Sequence, residues 1–439
     1  MRKISSKLLI GLLTVFLISV FMLQGCAQSA KITTAETTTT AETTTTKGEV
    51  VTVDWPSWQW EEPGNKEYLL AIKKYVEENY PIKINNYMVK WDDYKTQVET
   101  SMAGGAAPDI VQGETSDIAK WGGLNLLEPL DGYEGFNDLV KGFVSLQKDY
   151  PLVQNGKTYA LIKDIADVAL YYNKTIFTKA GIANPPTTLD EFLEAAKKTT
   201  KAPDVFGFGM TTKPGNLINK FLVAYVFVRS FGGDFFVDGK PTANDPNTVK
   251  GIEFYKAVYD AGVSPKDVDY DVYRPMFWQG KEAMIIDGNW FIGMIKSGNA
   301  AILPEIGSVM MPNPDNRSLA WTTEIAIPSG AKHKEAAWTI LKVLESQEMQ
   351  KLQLDLTSQI GPSVSVTQDY IDKNPLLVPF LKTAKLPNNA SLVFPKLETK
   401  STALIKIIND YLDKLLFQNM SAKDAMDGLQ KALEAEISK

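Results

Sequence analysis

Residues Asn155–Phe192 read NGKTYALIKDIADVALYYNKTIFTKAGIANPPTTLDEF, and this stretch decides the fold. Its middle, Val168–Tyr172, is an apolar and aromatic run of the length of a strand. Polar residues bound the run on both sides, with Asp164 and Asp167 before it and Asn173 after it. The pattern predicts a buried strand that enters a new structural unit, so we expect the chain to cross here from one lobe to another.

The second half of this stretch predicts the start of a helix. Thr188 follows two prolines, and Glu191 stands three residues further on. At that spacing the threonine side chain caps the helix and the glutamate reaches back to the N–H of the cap residue, which is a capping box. An apolar run that begins at Phe192 follows the box, so an amphipathic helix is expected directly after the crossing.

Strands and helices alternate through the rest of the chain. Short apolar runs predict strands, and apolar residues at helical spacing predict helices. This alternation is typical of an α/β protein. The strand-like runs are Val50–Val53, Ile82–Ile84, Ile110–Val111 and Phe206–Met210, and the predicted helices include one from about Trp91, Phe221–Arg229, Asn247–Ala261, Thr402–Phe417 and Ala422–Ile437, the last capped by Ser421.

Several motifs resemble those of one protein family. They are Gly156–Ala160, Leu170–Lys174, Phe177–Gly181, Pro185–Phe192, Ala107–Val111, Phe277–Met284, Gly288–Trp290, Ile325–Ser329 and Ala336–Trp338. The set is similar to the family 1 extracellular solute-binding proteins of ABC sugar importers, the family of the maltose-binding proteins. The resemblance extends over nearly all of the chain after residue 49.

The resemblance implies a two-lobed α/β fold of the periplasmic-binding-protein type (type II), with an interlobe hinge and a helical C-terminal tail. Each lobe of that fold is discontinuous in sequence. The first lobe is expected to comprise residues 49–164 and 318–361, and the second lobe residues 165–317 and 362–439. Open α/β sheets bind ligands at their strand ends, so we expect the site in the cleft between the lobes, with closure around the ligand.

The N-terminal residues predict export and lipidation. Basic residues precede an apolar run, which is typical of a secretory signal peptide over residues 1–25. The run ends in LQGC and resembles a bacterial lipobox, with Cys26 as the acylated first residue of the mature protein. Residues 26–48 are rich in threonine and repeat an AETTTT unit, so they predict a tether, either a plain spacer or a glycosylated stalk.

Composition and charge exclude several classes of function. The net charge is −6, and signal-peptide cleavage would change it to −9, so the protein is not expected to bind nucleic acid. Cys26 is the only cysteine and His333 the only histidine, which leaves nothing for a disulfide, a Ser-His-Asp triad or a His/Cys metal cluster. No cofactor and no metal site are predicted, although the sequence leaves open a calcium ion bound by acidic residues of the cleft.

The candidate ligand residues are those able to hold a sugar. A sugar ring has an apolar C–H face and a rim of hydroxyl groups, so its site needs flat aromatic side chains and polar groups at fixed angles. The resemblance favours Trp290, because the family's Trp after Gly-x often stacks on a sugar ring. The predicted ligand-binding residues are Trp58, Trp60, Glu114, Asp117, Asp164, Asp167, Arg274, Trp278, Trp290, Trp321 and Glu324.

Structural alternatives stay open for several of these residues. Trp58 and Trp60 are also compatible with packing under the sheet. Asp117 is also compatible with a role in the first turn of a helix, where acids are favourable. Asp164 and Asp167 stand at the crossing, so each fits a hinge residue as well as a ligand contact.

The predicted function is that of a receptor without catalytic activity. We expect a monomer, lipid-anchored on the extracellular face of the cell membrane, that captures an oligosaccharide and delivers it to the permease subunits of an ABC transporter. One alternative is the same fold with a peptide or another small polar solute as its ligand. The other is a secreted glycosidase that works with a pair of carboxylates.

Overall fold

The computed structural model describes residues 49–143, 153–154, 156–215, 217–383, 392 and 394–439. The predicted signal peptide, the acylated Cys26 and the tether lie outside the described residues. None of the helices in the described ranges is long and apolar enough to cross a membrane.

The described residues form an alternating series of strands and helices. The strands are β1 (Val51–Ser57), β2 (Ile82–Met88), β3 (Val111–Glu114), β4 (Val153–Gln154), β5 (Lys157–Thr158), β6 (Ala160–Asn173), β7 (Phe236–Val237), β8 (Lys240–Pro241), β9 (Met284–Gly288), β10 (Ile306–Val309) and β11 (Ala320–Ala326). The helices are α1 (Asn65–Asn79), α2 (Trp91–Ala103), α3 (Thr115–Gly123), α4 (Phe136–Lys141), α5 (Lys174–Lys179), α6 (Leu189–Thr199), α7 (Ile218–Ser230), α8 (Pro246–Asp260), α9 (Tyr270–Trp278), α10 (Phe291–Asn299), α11 (Lys334–Leu344), α12 (Gln347–Thr357), α13 (Gln368–Lys373), α14 (Val378–Thr383), α15 (Ser401–Phe417) and α16 (Ala422–Ile437). Short 3₁₀ turns occupy Trp58–Trp60, Ala300–Glu305, Pro375–Leu377 and Glu398–Lys400.

The long strand β6 joins the two halves of a five-stranded sheet. Its first half, Ala160–Asp167, pairs antiparallel with β11, whose other edge pairs with β3. Its second half, Val168–Asn173, pairs antiparallel with β9 and β10. The strands β1 and β2 form a separate parallel pair, and β4–β5 and β7–β8 form antiparallel pairs. One continuous strand therefore connects the two sides of the molecule.

The buried apolar side chains divide into two lobes at the middle of β6. Leu161 packs in the cluster that contains Val53, next to a smaller cluster around Tyr94. From Ala166 onward the strand packs in a different cluster, which contains Phe208 and side chains of α15 and α16. We call the elements around the first two clusters the first lobe and those around the third the second lobe. The prediction of two α/β lobes with a helical C-terminal tail is confirmed.

The predicted capping interactions are confirmed. Thr188 Oγ1 accepts a hydrogen bond from the N–H of Glu191 at 3.2 Å, and the Glu191 carboxylate accepts one from the N–H of Thr188 at 3.2 Å. The helix that follows, α6, buries Phe192. At the C-terminus Ser421 caps α16, because its hydroxyl accepts the N–H of Asp424 at 3.1 Å.

Several strand predictions differ from the structure. The strands β1 and β2 extend beyond the predicted runs, to Ser57 and Met88, and the predicted strand Phe206–Met210 forms only isolated bridges, at Phe206 and Gly209. The crossing strand begins at Ala160 and not at Val168, because its charged residues Lys163 and Asp164 are buried as an ion pair of 2.9 Å. The strand β3 begins where the predicted strand Ile110–Val111 ends. Its polar residues are buried with partners, so polarity wrongly indicated the ends of both strands.

Candidate ligand-binding site

A cavity of about 410 Å³ lies between the two lobes. This volume is within the range of about 300–1,000 Å³ that is common for small-molecule sites. The first lobe supplies residues after β1, after β2 and at the end of β3, and the second lobe supplies α9 and α10. The lining residues are Trp58, Gln59, Glu61, Glu62, Pro63, Met88, Lys90, Trp91, Glu114, Ala166, Tyr270, Asp271, Arg274, Pro275, Trp278, Trp290, Met294, Thr323 and Gln359.

The 3₁₀ turn after β1 directs one tryptophan to the cavity and another to the core. Ser57 caps this turn, since its hydroxyl accepts a backbone N–H of the turn at 3.0 Å. The ring of Trp58 lines the cavity and packs edge-to-face on Tyr94, with 4.9 Å between ring centres. Trp60 points the other way, where its indole N–H donates to the carbonyl of Trp55 at 2.9 Å.

The helix α9 forms one wall of the cavity. Asp269 caps the helix by accepting the N–H of Asp271 at 3.1 Å. Tyr270, Arg274 and Trp278 follow one another at intervals of four residues, which places them along one helical face. All three line the cavity.

The guanidinium group of Arg274 is fixed by a buried carboxylate. Asp287, in β9, accepts hydrogen bonds from Arg274 Nε at 2.6 Å and from Nη2 at 2.8 Å. The guanidinium carbon also lies 5.1 Å from the centre of the Tyr270 ring, which is a cation–π distance. The arginine is therefore rigid and neutralised before any ligand binds.

The motif Gly288–Trp290 explains how an indole reaches the cavity at the end of β9. A Cβ atom on Gly288 would lie 1.8 Å from Cζ3 of Trp290, so only glycine lets the ring fold back over the strand end. Asn289 anchors the motif to the crossing, because its amide group donates to the carbonyl oxygens of Ile165 and Ser358, both at 3.1 Å.

Five of the six charged side chains that line the cavity have an opposite charge beside them. These ion pairs neutralise the wall and hold its side chains in place. The pairs are Glu61–Lys66 at 2.7 Å, Lys90–Asp271 at 2.8 Å, Glu114–Lys95 at 2.9 Å and Arg274–Asp287 at 2.6 Å.

The sixth charged residue, Glu62, accepts a hydrogen bond from the Asn65 amide at 2.8 Å. Burial raises the pKa of Glu62 to about 7, against the opposing effects of Arg274, of the Asn65 hydrogen bond and of Lys163. This carboxyl group therefore changes its charge near neutral pH, inside the cavity.

The structure brings five of the predicted ligand residues to the cavity. They come from both lobes and include three tryptophans. These residues are Trp58, Glu114, Arg274, Trp278 and Trp290. Their contact with a ligand stays a prediction.

Three other predicted ligand residues are buried and contact groups inside the protein. Trp60 lies in the core of the first lobe, which agrees with the alternative that it packs under the sheet. Asp117 sits in the first turn of α3, where it accepts the N–H of Glu114 at 2.9 Å and pairs with Lys95 at 2.9 Å. Asp164 is fully buried in its pair with the preceding lysine.

The last three predicted residues lie along the crossing. Glu324 is buried and accepts a hydrogen bond from Thr115 Oγ1 at 2.7 Å, and burial raises the pKa of this carboxyl group well above its ordinary range. Asp167 is also buried, and burial raises its pKa to about 8. The backbone of Trp321 pairs with Ala166 in the sheet, while its side chain lies outside the described part of the structure.

The sequence reasoning missed two aromatic residues of the wall, Trp91 and Tyr270. Both stand at the first position of a helix, and Trp91 was used only as a sign of a helix start. The spacing of four residues between Tyr270, Arg274 and Trp278 was a usable signal, since two members of this series were predicted.

Within the described ranges, no group of three or more His, Cys, Asp or Glu side chains is arranged to hold a metal ion.

Comparisons with known proteins agree with this architecture. The model of the bacterial extracellular solute-binding protein family matches residues 71–378. A Brucella abortus protein, named only as a binding protein, is 30% identical over 284 residues, which are 63% of this chain and 68% of that protein. The maltotriose-binding protein of Pyrococcus abyssi is 27% identical over 275 residues, 60% of this chain and 57% of that protein. The structure of maltose-bound T. maritima MalE3 has the same fold, with a TM-score of 0.77, 20% identity, and coverage of 88% of this chain and 99% of that chain. The chain therefore belongs to the bacterial extracellular solute-binding protein family.

Proposed function

We propose that this protein captures a neutral carbohydrate, a short oligosaccharide, in the cavity between its lobes. The observation that carries the proposal is the number of aromatic side chains around one small cavity. Trp58, Trp91, Tyr270, Trp278 and Trp290 all line it. Flat rings pack on the apolar C–H faces of sugars, and the polar groups between them meet hydroxyl groups.

The charges of the cavity favour a neutral ligand. Both cations of the described wall, Lys90 and Arg274, already have carboxylate partners. An anionic ligand would have to displace one of these partners, which leaves a charge without its counterion. Carboxylate and amide groups such as Glu62 and Gln59 instead suit the hydroxyl groups of an uncharged sugar.

The relatives support a carbohydrate over a peptide or another small polar solute. The Pyrococcus abyssi relative is named as a maltotriose-binding protein, and the T. maritima structure was solved with maltose. We infer that the present chain binds a ligand of the same chemical class.

We further propose how the lobes divide and move. The first lobe comprises residues 49–164 and 318–361, and the second lobe residues 165–317 and 362–439. The division agrees with the change of core cluster within β6, between Leu161 and Ala166. Opening and closing at the crossing strands would admit the ligand and then enclose it.

The remaining parts of the proposal concern transport. The lipobox assigns Cys26 as the acylated residue, and residues 26–48 as the tether of a monomer on the extracellular face of the cell membrane. The closed, loaded form would deliver its sugar to the permease subunits of an ABC transporter. This function needs no cofactor and no catalytic step, because binding and release complete it.

Calorimetric titration with neutral oligosaccharides tests the proposal. Maltose, cellobiose, xylobiose and their longer homologues form the panel, and chromatography of the sugars after incubation checks for cleavage. We expect saturable binding of at least one intact sugar, weakened about tenfold or more by Trp290→Ala because a stacking ring is lost.

A matched control separates this effect from general damage. Tyr80→Ala removes an exposed aromatic ring outside the cavity wall and should leave the affinity unchanged. Shortened sugars would contradict the non-catalytic function. Absence of binding to every sugar of the panel would contradict the carbohydrate ligand and favour a peptide or another small polar solute.

A further inference from the structure

The two lobes touch across the cavity where α2 and α9 begin. Lys90, at the start of α2, forms an ion pair of 2.8 Å with Asp271 of α9. The Tyr270 hydroxyl donates a hydrogen bond to Asp92 at 3.1 Å. The rings of Trp91 and Tyr270 meet edge-to-face, with 6.4 Å between their centres. We call these five residues the α2–α9 bridge.

The buried part of the bridge holds it together. The ion pair of Lys90 and Asp271 is about half exposed, so solvent screens it and it contributes little. Tyr270, by contrast, is only 7% exposed. Asp92 of α2 accepts a hydrogen bond from the Tyr270 hydroxyl at 3.1 Å. This contact ties α2 of the first lobe to α9 of the second lobe.

The α2–α9 bridge is also a wall of the cavity. Of its five residues, all except Asp92 line the cavity directly. One helical turn along α9, Arg274 is anchored to Asp287 of β9, so the helix runs from the sheet to the bridge. The crossing strands supply Ala166 and Thr323 to the lining. A ligand chain that leaves the cavity between α2 and α9 would have to break the bridge.

We propose that the α2–α9 bridge is a specificity determinant that selects for chain length, because it blocks this exit and restricts tight binding to oligosaccharides short enough to be enclosed. The inference rests on the proposed carbohydrate function. It assigns to Tyr270 a role distinct from that of the other aromatic residues, since its ring closes the exit as well as facing the ligand.

Calorimetric titration of a homologous sugar series tests the inference. Maltose, maltotriose and maltoheptaose are the first probes, replaced by the matching cello- or xylo-oligosaccharides if the panel above selects those. We expect the unsubstituted protein to bind the trisaccharide at least about tenfold more tightly than the heptasaccharide. In Tyr270→Ala the exit opens, and this ratio should fall to about threefold or less.

Two further variants keep the result interpretable. Trp278→Ala removes a cavity-lining ring from the other end of α9 and should weaken all chain lengths by a similar factor. Lys90→Ala removes a half-exposed bridge residue with little effect on folding, and should lower the ratio in the same direction as Tyr270→Ala but by less, because its ion pair contributes little. Equal affinity of the unsubstituted protein for short and long chains, or an unchanged ratio in both bridge variants, would overturn the inference. Absence of binding to every sugar would instead overturn the proposed function, and this inference with it.

Discussion

The cavity and the crossing strand both carry ion pairs between close neighbours in sequence, but the two pairs sit in opposite environments. At the cavity, the side chains of Lys66 and Glu61 are 42% and 58% exposed. At the crossing, those of Lys163 and Asp164 are 1% and 0% exposed. Water solvates the charges of the first pair whether or not the pair forms, whereas the charges of the second pair have exchanged water for partners inside the protein.

The surroundings of Lys163 increase this difference. Its ammonium group lies 5.7 Å from the centre of the Tyr68 ring, at a cation–π distance. Burial raises the pKa of the neighbouring Glu345 well above its ordinary range, while the charge of Lys163 opposes that rise. One lysine thus acts on two buried carboxyl groups, Asp164 and Glu345. The same residue types therefore form an exposed pair at the cavity in one region and a buried pair of the crossing strand in the other.

The largest expected effect is on folding, from removal of the buried cation. Lys163→Met should lower the free energy of unfolding by about 3–5 kcal/mol, because it leaves a buried carboxylate without its counterion. Urea denaturation of the purified protein, followed by circular dichroism, measures the loss.

Lys66→Met is the matched control, since it breaks an exposed pair with the same kind of substitution. Its effect on the free energy of unfolding should be far smaller than that of Lys163→Met, because solvent screens the exposed pair. Equal losses in the two variants would show that burial does not distinguish the two regions.

The sequence predicted the fold better than the site, and the loop after β1 shows why. Helices and strands follow from periodicity and caps, which are local. Trp58 and Trp60, however, are two tryptophans in the same polar segment, so their sequence surroundings do not distinguish them. The geometry of a single 3₁₀ turn decides which of them faces the cavity. Trp290 was predicted from the resemblance of Gly288–Trp290 to the family motif, and the structure gives its physical reason, because a Cβ atom at Gly288 would meet the indole ring.

The acidic residues show the second limit of the sequence. Glu114 lines the cavity, whereas Asp117 and Glu324 are bound by groups inside the protein. One oxygen of the Glu324 carboxyl group accepts a hydrogen bond from Thr115, which lies 209 residues away in sequence. Likewise, Tyr270 meets Asp92 across 178 residues. Contacts between such distant residues depend on the packing of whole lobes, and no local pattern reports them.

The next effect in size is on ligand affinity, and it sharpens the contrast between the two tryptophans. Trp58→Ala should weaken sugar binding by about 2 kcal/mol, roughly thirtyfold, because it removes a stacking surface from the cavity. Calorimetric titration with the sugar identified in the panel measures the loss.

Trp60→Phe is the corresponding change in the core. It removes the indole hydrogen bond to Trp55, so the free energy of unfolding should fall by about 1 kcal/mol while the affinity stays within about threefold. A larger loss of affinity in Trp60→Phe than in Trp58→Ala would reverse the assignment of the two residues.

The last comparison concerns pH, and it separates a buried carboxyl group of the cavity from one of the crossing strand. The pKa of Asp167 is raised by burial from 3.8 to about 8, so the folded protein keeps a proton that the unfolded chain releases above about pH 4. The unfolded state is therefore favoured progressively between about pH 4 and pH 8, and the free energy of unfolding falls across this window. Asp167→Asn should reduce this slope, seen in urea denaturation at intervals of pH, without altering the pH dependence of sugar affinity.

Glu62 should show a different pattern, because its carboxyl group lines the cavity and has a pKa raised by burial to about 7. Below pH 7 it is protonated and able to donate a hydrogen bond to a sugar oxygen, and above pH 7 it only accepts. Sugar affinity should therefore change between about pH 6 and pH 8, and Glu62→Gln, which cannot titrate, should abolish that change in calorimetric titrations across the range. The opposite result, in which Asp167→Asn removed the pH dependence of affinity and Glu62→Gln did not, would contradict this assignment. The carboxyl group that controls affinity would then be Asp167 of the crossing strand and not Glu62 of the cavity.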